Sequence, residues 1–157
     1  MQDKDLYFME QALSQAEIGR AKGLAPFGAV IVGPDGELIA EGYNQVAQDF
    51  DVSAHGEIMA IRHAEAKLKR IKLQGCTIYT TCEPCLMCTY AITRAGISRV
   101  VYATRGTDVP DRKVLLDIGL PEVADWINRQ SDWPRLEITE GVLRERCLKL
   151  FENYAWT

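Results

Sequence analysis

A chain of 157 residues, 47% hydrophobic and 25% charged, fits one globular domain with a core of its own and excludes disordered, collagen-like and coiled-coil architectures. The 18 lysines and arginines against 22 aspartates and glutamates leave a net charge of −4, so no global field draws the chain to phosphates and a nucleic-acid partner is not expected. No apolar run approaches the ~20 residues that would span a bilayer, so no membrane partner is expected either.

No repeat, low-complexity tract or Gly/Ser linker divides residues 1–157, so a single domain is expected. Met1-Gln2-Asp3-Lys4-Asp5 lacks the basic and apolar blocks of a secretory leader. The expected setting is therefore the cytoplasm, with the five cysteines reduced. Closely spaced cysteines then read as metal or redox ligands before they read as disulfides.

Leu6, Met9, Leu13 and Ala16 recur at helical spacing, and Gly19 and Gly23 bracket the stop of a first helix. The apolar run Phe27-Gly-Ala-Val-Ile-Val32, the turn signal Gly33-Pro34-Asp35-Gly36 and Leu38-Ile39-Ala40 predict a β-hairpin whose first strand is buried. Residues 56–69 read as a helix with Ile58, Ile61, Ala64 and Leu68 on one face. Thr77-Ile-Tyr-Thr-Thr81 is a strand that leads into a helix ending near Gly96, with Pro84 suited to its first turn. Val100-Val101-Tyr102 is a further short strand. Between residues 107 and 134, two short helices are expected, at 114–118 and 122–127. Leu136-Glu-Ile-Thr139 follows as a last strand and 143–154 as a last helix. Strands alternating with helices after an opening hairpin predict an α/β fold, a mixed sheet covered on both faces.

Two segments carry chemistry, Ala54-His55-Gly56-Glu57 and Thr81-Cys82-Glu83-Pro84-Cys85-Leu86-Met87-Cys88, and each opens a predicted helix. Cys85 and Cys88, three apart, share a helical face, and His55 adds an imidazole; thiolate and imidazole at about 2.0–2.3 Å are what zinc favours. Helix N-termini also stabilise thiolates. A C-x-x-C alone reads equally as a redox pair or as core cysteines, but its conjunction with a histidine at another helix start selects one zinc per chain. A structural zinc site is closed by four protein ligands, whereas three leave a position for water, so the site reads as catalytic. Glu57 stands two residues past His55, in reach of that water without ligating the metal. Cys82 is the nearest competing ligand and is expected on the loop before the helix, facing elsewhere. Cys76 and Cys147 read as core residues. His63 reads either as a packed or surface histidine or as a functional one.

H-x-E followed by P-C-x-x-C is the signature of the zinc deaminases, and with it the chain resembles the cytidine deaminase-like superfamily. The look is nearer to guanine deaminase and fungal-type cytosine deaminase, and more distant to tRNA adenosine deaminase. The resemblance covers residues 6–104 and rests on Pro26-Phe-Gly-Ala-Val-Ile-Val32, Glu41-Gly-Tyr-Asn44, His55-Gly-Glu57, Thr80-Thr-Cys-Glu-Pro-Cys85 with Cys88, and Gly96-Ile-Ser-Arg-Val100.

The resemblance implies a three-layer α/β/α sandwich around a five-stranded mixed sheet, assembled as a homodimer. It implies hydrolytic conversion of the exocyclic amine of a small free nucleobase or nucleoside to a carbonyl, with guanine slightly ahead of cytosine. His55, Cys85 and Cys88 would bind zinc, Glu57 would shuttle protons, Asn44 would hydrogen-bond the base and Phe27 would stack on it. Gly56, where many members carry alanine, bears on substrate choice. Asp108 is a weaker candidate for contacting a substrate N–H, and Trp156 or Tyr154 would cover the pocket. Arg94 and Tyr90, on the metal-ligand helix, depart from the relatives, and Arg94 weakens the guanine assignment. Deamination of adenosine in tRNA is the alternative, disfavoured by the net charge and by the mixing of Arg144, Arg146 and Lys149 with Glu140, Glu145 and Glu152. A non-catalytic zinc scaffold is a second alternative, disfavoured by the intact Glu57.

Overall fold

The computed structural model describes residues 3–112, 118–130 and 132–156; the expected helix at 114–118 lies outside the described residues except for Ile118. In chain order the elements are α1 (Asp3–Ala21), β1 (Gly28–Val32), β2 (Leu38–Tyr43), α2 (Val46–Asp49), α3 (Gly56–Leu68), β3 (Thr77–Cys82), α4 (Leu86–Ala95), β4 (Arg99–Thr104), α5 (Leu120–Asn128), β5 (Glu137–Glu140) and α6 (Arg144–Leu148). The strands form one mixed sheet in the order β2-β1-β3-β4-β5. The β1–β2 and β1–β3 pairs are antiparallel, and β3–β4 and β4–β5 are parallel.

Strand alternation divides two cores between the faces of this sheet. Ala29, Ile31, Ile78, Val100 and Tyr102 join α3, α4 and α5 through Ala60, Ile61, Ile92 and Ala124. Val30, Val32, Tyr79, Val101 and Ala103 join α1 and α6 through Met9, Ala12, Leu13 and Cys147. With both faces covered, the three central strands are almost wholly buried, β1 as a continuous apolar run and β3 and β4 with buried threonines, while β2 and β5 at the edges are not. The helices approach closely because two strand positions have no Cβ. A Cβ on Gly28 would lie 2.2 Å from the Ala12 carbonyl oxygen of α1, and one on Gly42 would lie 2.5 Å from the Gly56 carbonyl oxygen of α3.

The topology gathers one end of the sheet. Ala29 pairs with Thr80 in antiparallel register, so the start of β1 lies beside the end of β3, and Gly28 pairs with Tyr43 at the end of β2. Phe27, Asn44 and Cys82 therefore leave the sheet at the same edge, where α3 and α4 begin.

Some boundaries differ from expectation for local reasons. Cys85, with extended backbone at φ −68° and ψ 170°, is the N-cap of α4, so Pro84 stands before the helix rather than in its first turn. The sheet still holds the chain there, because the Glu83 N–H donates to the Thr104 carbonyl at 2.7 Å. The last helix stops at Leu148; a 3-10 turn, Lys149–Phe151, and a left-handed Asn153 (φ 58°) fold the aromatic tail back. The short α2 carries no apolar period and follows from an Asx turn, in which Asn44 Oδ1 accepts the Val46 N–H at 3.3 Å.

A buried ion pair ties α1 to the sheet. Asp5, 2% exposed, accepts two bonds from Arg99 at 2.8 and 2.9 Å and one from the Tyr79 hydroxyl at 2.9 Å. The Arg99 bonds hold the Asp5 carboxyl below the ordinary aspartate range, and burial together with the Asp5 bond pushes Tyr79 up to about 12. Asp5→Asn leaves a largely buried guanidinium without its counter-charge and is expected to cost about 3–5 kcal/mol in urea unfolding. Because the folded pKa is depressed, this stabilisation is present above the unfolded value of about 3.9 and is lost as pH falls through the folded one. The Asp5→Asn variant should lack that part of the acid transition, and an unchanged urea midpoint would show the pair to be neutral.

Candidate active site

Two helix starts aim their side chains at one point. His55 is the N-cap of α3 and Cys85 the N-cap of α4; both have extended backbone, and neither uses its side chain to cap. The rings and sulfurs are thereby left to each other. His55 Nδ1 lies 3.6 Å from Cys85 Sγ and 3.5 Å from Cys88 Sγ, and the three donor atoms fall within 4.8 Å of one another. Tetrahedral zinc, with Zn–S of about 2.3 Å and Zn–N of about 2.0–2.1 Å, requires an N···S edge of about 3.6 Å. The donor set and its spacing fit zinc, and among the described residues it is the one such cluster.

The three groups are within hydrogen-bond reach of one another. Hydrogen bonds from the Cys88 thiol and from His55 bring Cys85 down to about 4, and the bond to Cys85 raises His55. The same Cys85–Cys88 bond, together with burial, pushes Cys88 up. Glu57, in the first turn of α3, is 6% exposed, with one carboxylate oxygen 3.6 Å from Cys88 Sγ and the other 3.5 Å from the Thr80 hydroxyl. Burial raises its pKa, so this carboxyl holds a proton more readily than one in water.

A cavity of about 160 Å³ opens over these groups. His55, Glu57 and Cys85 line it, together with Phe27 and Asn44 from the strand ends. Asn44 is buried at 7% exposure, and its N–H donates to the Phe27 carbonyl at 2.9 Å, which joins the two walls. Gly56 sits behind the cavity, where a Cβ would lie 3.0 Å from the Phe27 carbonyl oxygen. Cys82 departs from expectation: it is the last residue of β3 rather than a loop residue, and it lines the cavity. Burial pushes its thiol up to about 12, and it stands outside the ligand cluster. Cys76 and Cys147 are fully buried core residues. His63 is exposed, with Nδ1 2.7 Å from the Glu41 carbonyl.

Asp108 is not brought to this cavity. Its carboxylate accepts the Arg105 N–H at 3.1 Å and pairs with Arg144 at 3.2 Å, beside a separate cavity next to Glu140. Trp156 stands behind Phe27, ring centroids 5.9 Å apart, and its indole N–H donates to the Pro110 carbonyl at 2.9 Å; Tyr154 meets Trp156 edge-on at 4.8 Å. The tail thus braces a wall of the cavity rather than lining it. Arg94 and Tyr90 are exposed on α4, and the Arg94 guanidinium lies 5.6 Å from the Trp133 ring.

Two lining residues have no counterpart among the expected ones, Glu83 and Arg112. Glu83 accepts the N–H groups of Gly106 at 3.2 Å and of Leu120, at the start of α5, at 2.7 Å. Its place between Cys82 and Pro84 was the available signal. Arg112 comes from a stretch with no periodicity, and nothing local marks it.

An α/β/α sheet fold that places a histidine and two cysteines at zinc spacing, three protein donors rather than four, defines a zinc site of the catalytic kind. Residues 2–104 match the cytidine and deoxycytidylate deaminase zinc-binding region, and the chain belongs to this family of zinc-dependent hydrolytic deaminases. It is 32% identical over 152 residues to the tRNA-specific adenosine deaminase of Buchnera aphidicola subsp. Schizaphis graminum, covering 97% of this chain and 94% of that protein. It is 45% identical to the guanine deaminase of Bacillus subtilis, but over 105 residues, 66% of this chain and 67% of that one. Among solved structures, a tRNA:A34 deaminase studied for A-to-I editing at the wobble position superposes with a TM-score of 0.77 at 30% identity, over 92% of this chain and 98% of that one. A protein bound to 8-azaguanine superposes at 0.85 with 27% identity, over 96% and 83%.

These findings overturn the expectation of a free base, with guanine ahead of cytosine: tRNA-specific adenosine deaminases match at over 30% identity across 97–98% of this chain, and the Bacillus subtilis guanine deaminase across 66%. They also conflict with the exclusion of nucleic acid. The physical reason is that a net charge averages the surface, whereas RNA binding depends on cations near one cavity. No helix among the described residues is long and apolar enough to cross a membrane.

Proposed function

We propose that the chain deaminates adenosine within tRNA, releasing ammonia and leaving inosine. The observation that carries this reading is the end-to-end similarity to a tRNA-specific adenosine deaminase, which extends past the shared zinc region into the segments after β4. His55, Cys85 and Cys88 would hold the zinc, which when bound would supply a Lewis acid that makes a water acidic near neutral pH. Glu57 takes a proton from the attacking water, delivers it to the purine nitrogen N1 beside the reacting carbon, and later passes a proton to the departing amine. The oxygen of one water ends on the carbon, its two hydrogens end on N1 and on the ammonia, and the carbon–nitrogen bond breaks. Asn44 engages one side of its amide with the Val46 N–H, which leaves the amide nitrogen to donate to a purine ring nitrogen. Phe27 forms the apolar wall beside the base.

The test is inosine formation by the zinc-loaded protein in an anticodon stem-loop with adenosine at the wobble position, with free guanine and cytosine as comparators. Inosine in the RNA and no ammonia from the free bases is expected. Ammonia from a free base without inosine in RNA would overturn the reading.

A further inference from the structure

Among its described lining residues the cavity holds one side chain with a fixed positive charge, Arg112, and that charge makes no ion pair among the described residues. Its arginine neighbours differ: Arg105 is paired with Glu140 at 3.0 Å, and Arg144 with Asp108 at 3.2 Å and Glu145 at 2.8 Å. Arg112 instead lies over the Phe27 ring, 5.1 Å from its centroid, with Nη1 3.6 Å from the Cys82 sulfur.

The surroundings hold it there. Its own N–H reaches the Val109 carbonyl at 3.4 Å, Trp156 grips the Pro110 carbonyl at 2.9 Å, and Trp156 also packs on Phe27. Glu83 accepts the N–H groups of Gly106 and of Leu120, which precede and follow Arg112 in the chain. A guanidinium stacked on an aromatic ring keeps its N–H fork available for a planar or tetrahedral anion. The carboxylates of Glu57 and Glu83 also line the cavity and would repel an anion that lacked such a partner.

We propose that Arg112 binds the backbone phosphate beside the target nucleotide, and so distinguishes a nucleotide in RNA from a free base. A neutral nucleobase brings no anion to this group, whereas a nucleotide held in a polymer must bring one. The identity of the polymer rests on the proposed function above; the phosphate chemistry rests on Arg112.

The probe is a fluorescent anticodon stem-loop, and the protein is the zinc-loaded full chain carrying Glu57→Gln, which allows binding to be read without turnover. Adding Arg112→Ala is expected to weaken binding about tenfold and to reduce the slope of log Kd against log salt by about 0.7, the value for one phosphate on a single strand. Arg112→Lys should keep the slope while losing part of the affinity. Replacing the phosphates flanking the target with neutral methylphosphonates should weaken binding to the Arg112 protein and leave the Arg112→Ala protein unaffected. An unchanged salt slope in Arg112→Ala, or an equal methylphosphonate loss in both proteins, would overturn the inference. Inosine formation by the unmutated chain tests the function separately. Stem-loop binding that depends on Arg112, without inosine, would overturn the proposed substrate and keep the phosphate site; no binding at any salt would overturn both.

Discussion

Glu57→Gln is expected to lower the rate of inosine formation by roughly a hundred- to ten-thousand-fold while leaving one zinc per chain. The substitution keeps the shape of the side chain and one oxygen to accept from the Thr80 hydroxyl. It removes the ability to take up and return a proton. Glu57 stands outside the three-donor cluster, so metal content should not follow activity down. The loss should fall on kcat rather than on stem-loop affinity, because the carboxylate acts when the water attacks. Rates are read by inosine formation and zinc by elemental analysis of the same preparation. Turnover within a few-fold of the unmutated chain would remove Glu57 from the reaction.

Cys85→Ala is expected to lose both zinc and activity, with metal below about 0.1 per chain after dialysis against a weak chelator. The residue supplies one of the three donors, and its removal leaves one imidazole and one thiolate to hold the ion. Loss of the metal also unties the starts of α3 and α4, so the melting temperature should fall and cease to respond to added zinc. Cys82→Ala is the control. It lines the same cavity but lies outside the cluster, so zinc should remain at one per chain. Full zinc occupancy in Cys85→Ala, or zinc loss in Cys82→Ala, would reassign the ligands.

The proposed RNA substrate illustrates why whole-chain charge misleads. The net charge of −4 pointed away from nucleic acid, and the zinc motif is common to relatives with different substrates. Most arginines near the site are cancelled by a carboxylate within 3.3 Å, as Arg105 and Arg144 are. What matters for a phosphate is a cavity-lining arginine with no carboxylate partner among the described residues, as Arg112 is, and a count of charges does not reveal it.

Much of the architecture was legible in the chain because its causes are local. Apolar spacing and a glycine stop place α4 and its end at Gly96, where φ is 77°, and the 56–69 expectation differs from α3 by one residue. The zinc donors were legible for a related reason: His55, Cys85 and Cys88 each sit at a helix start, where a few neighbouring residues set the direction of the side chain. Partners brought together by chain closure were not legible. Asp108 is held by Arg144, Cys82 lines the cavity, and Trp156 reaches Pro110. Arg112 meets Phe27 only because antiparallel β1 starts beside the end of β3 and Glu83 ties Gly106 and Leu120, before and after Arg112 in the chain, to that edge. The elements and the metal chemistry could be read from the chain because both follow from residues within a turn or two of each other. Which charges and rings face the substrate was settled only on folding, because those contacts join segments far apart in the chain.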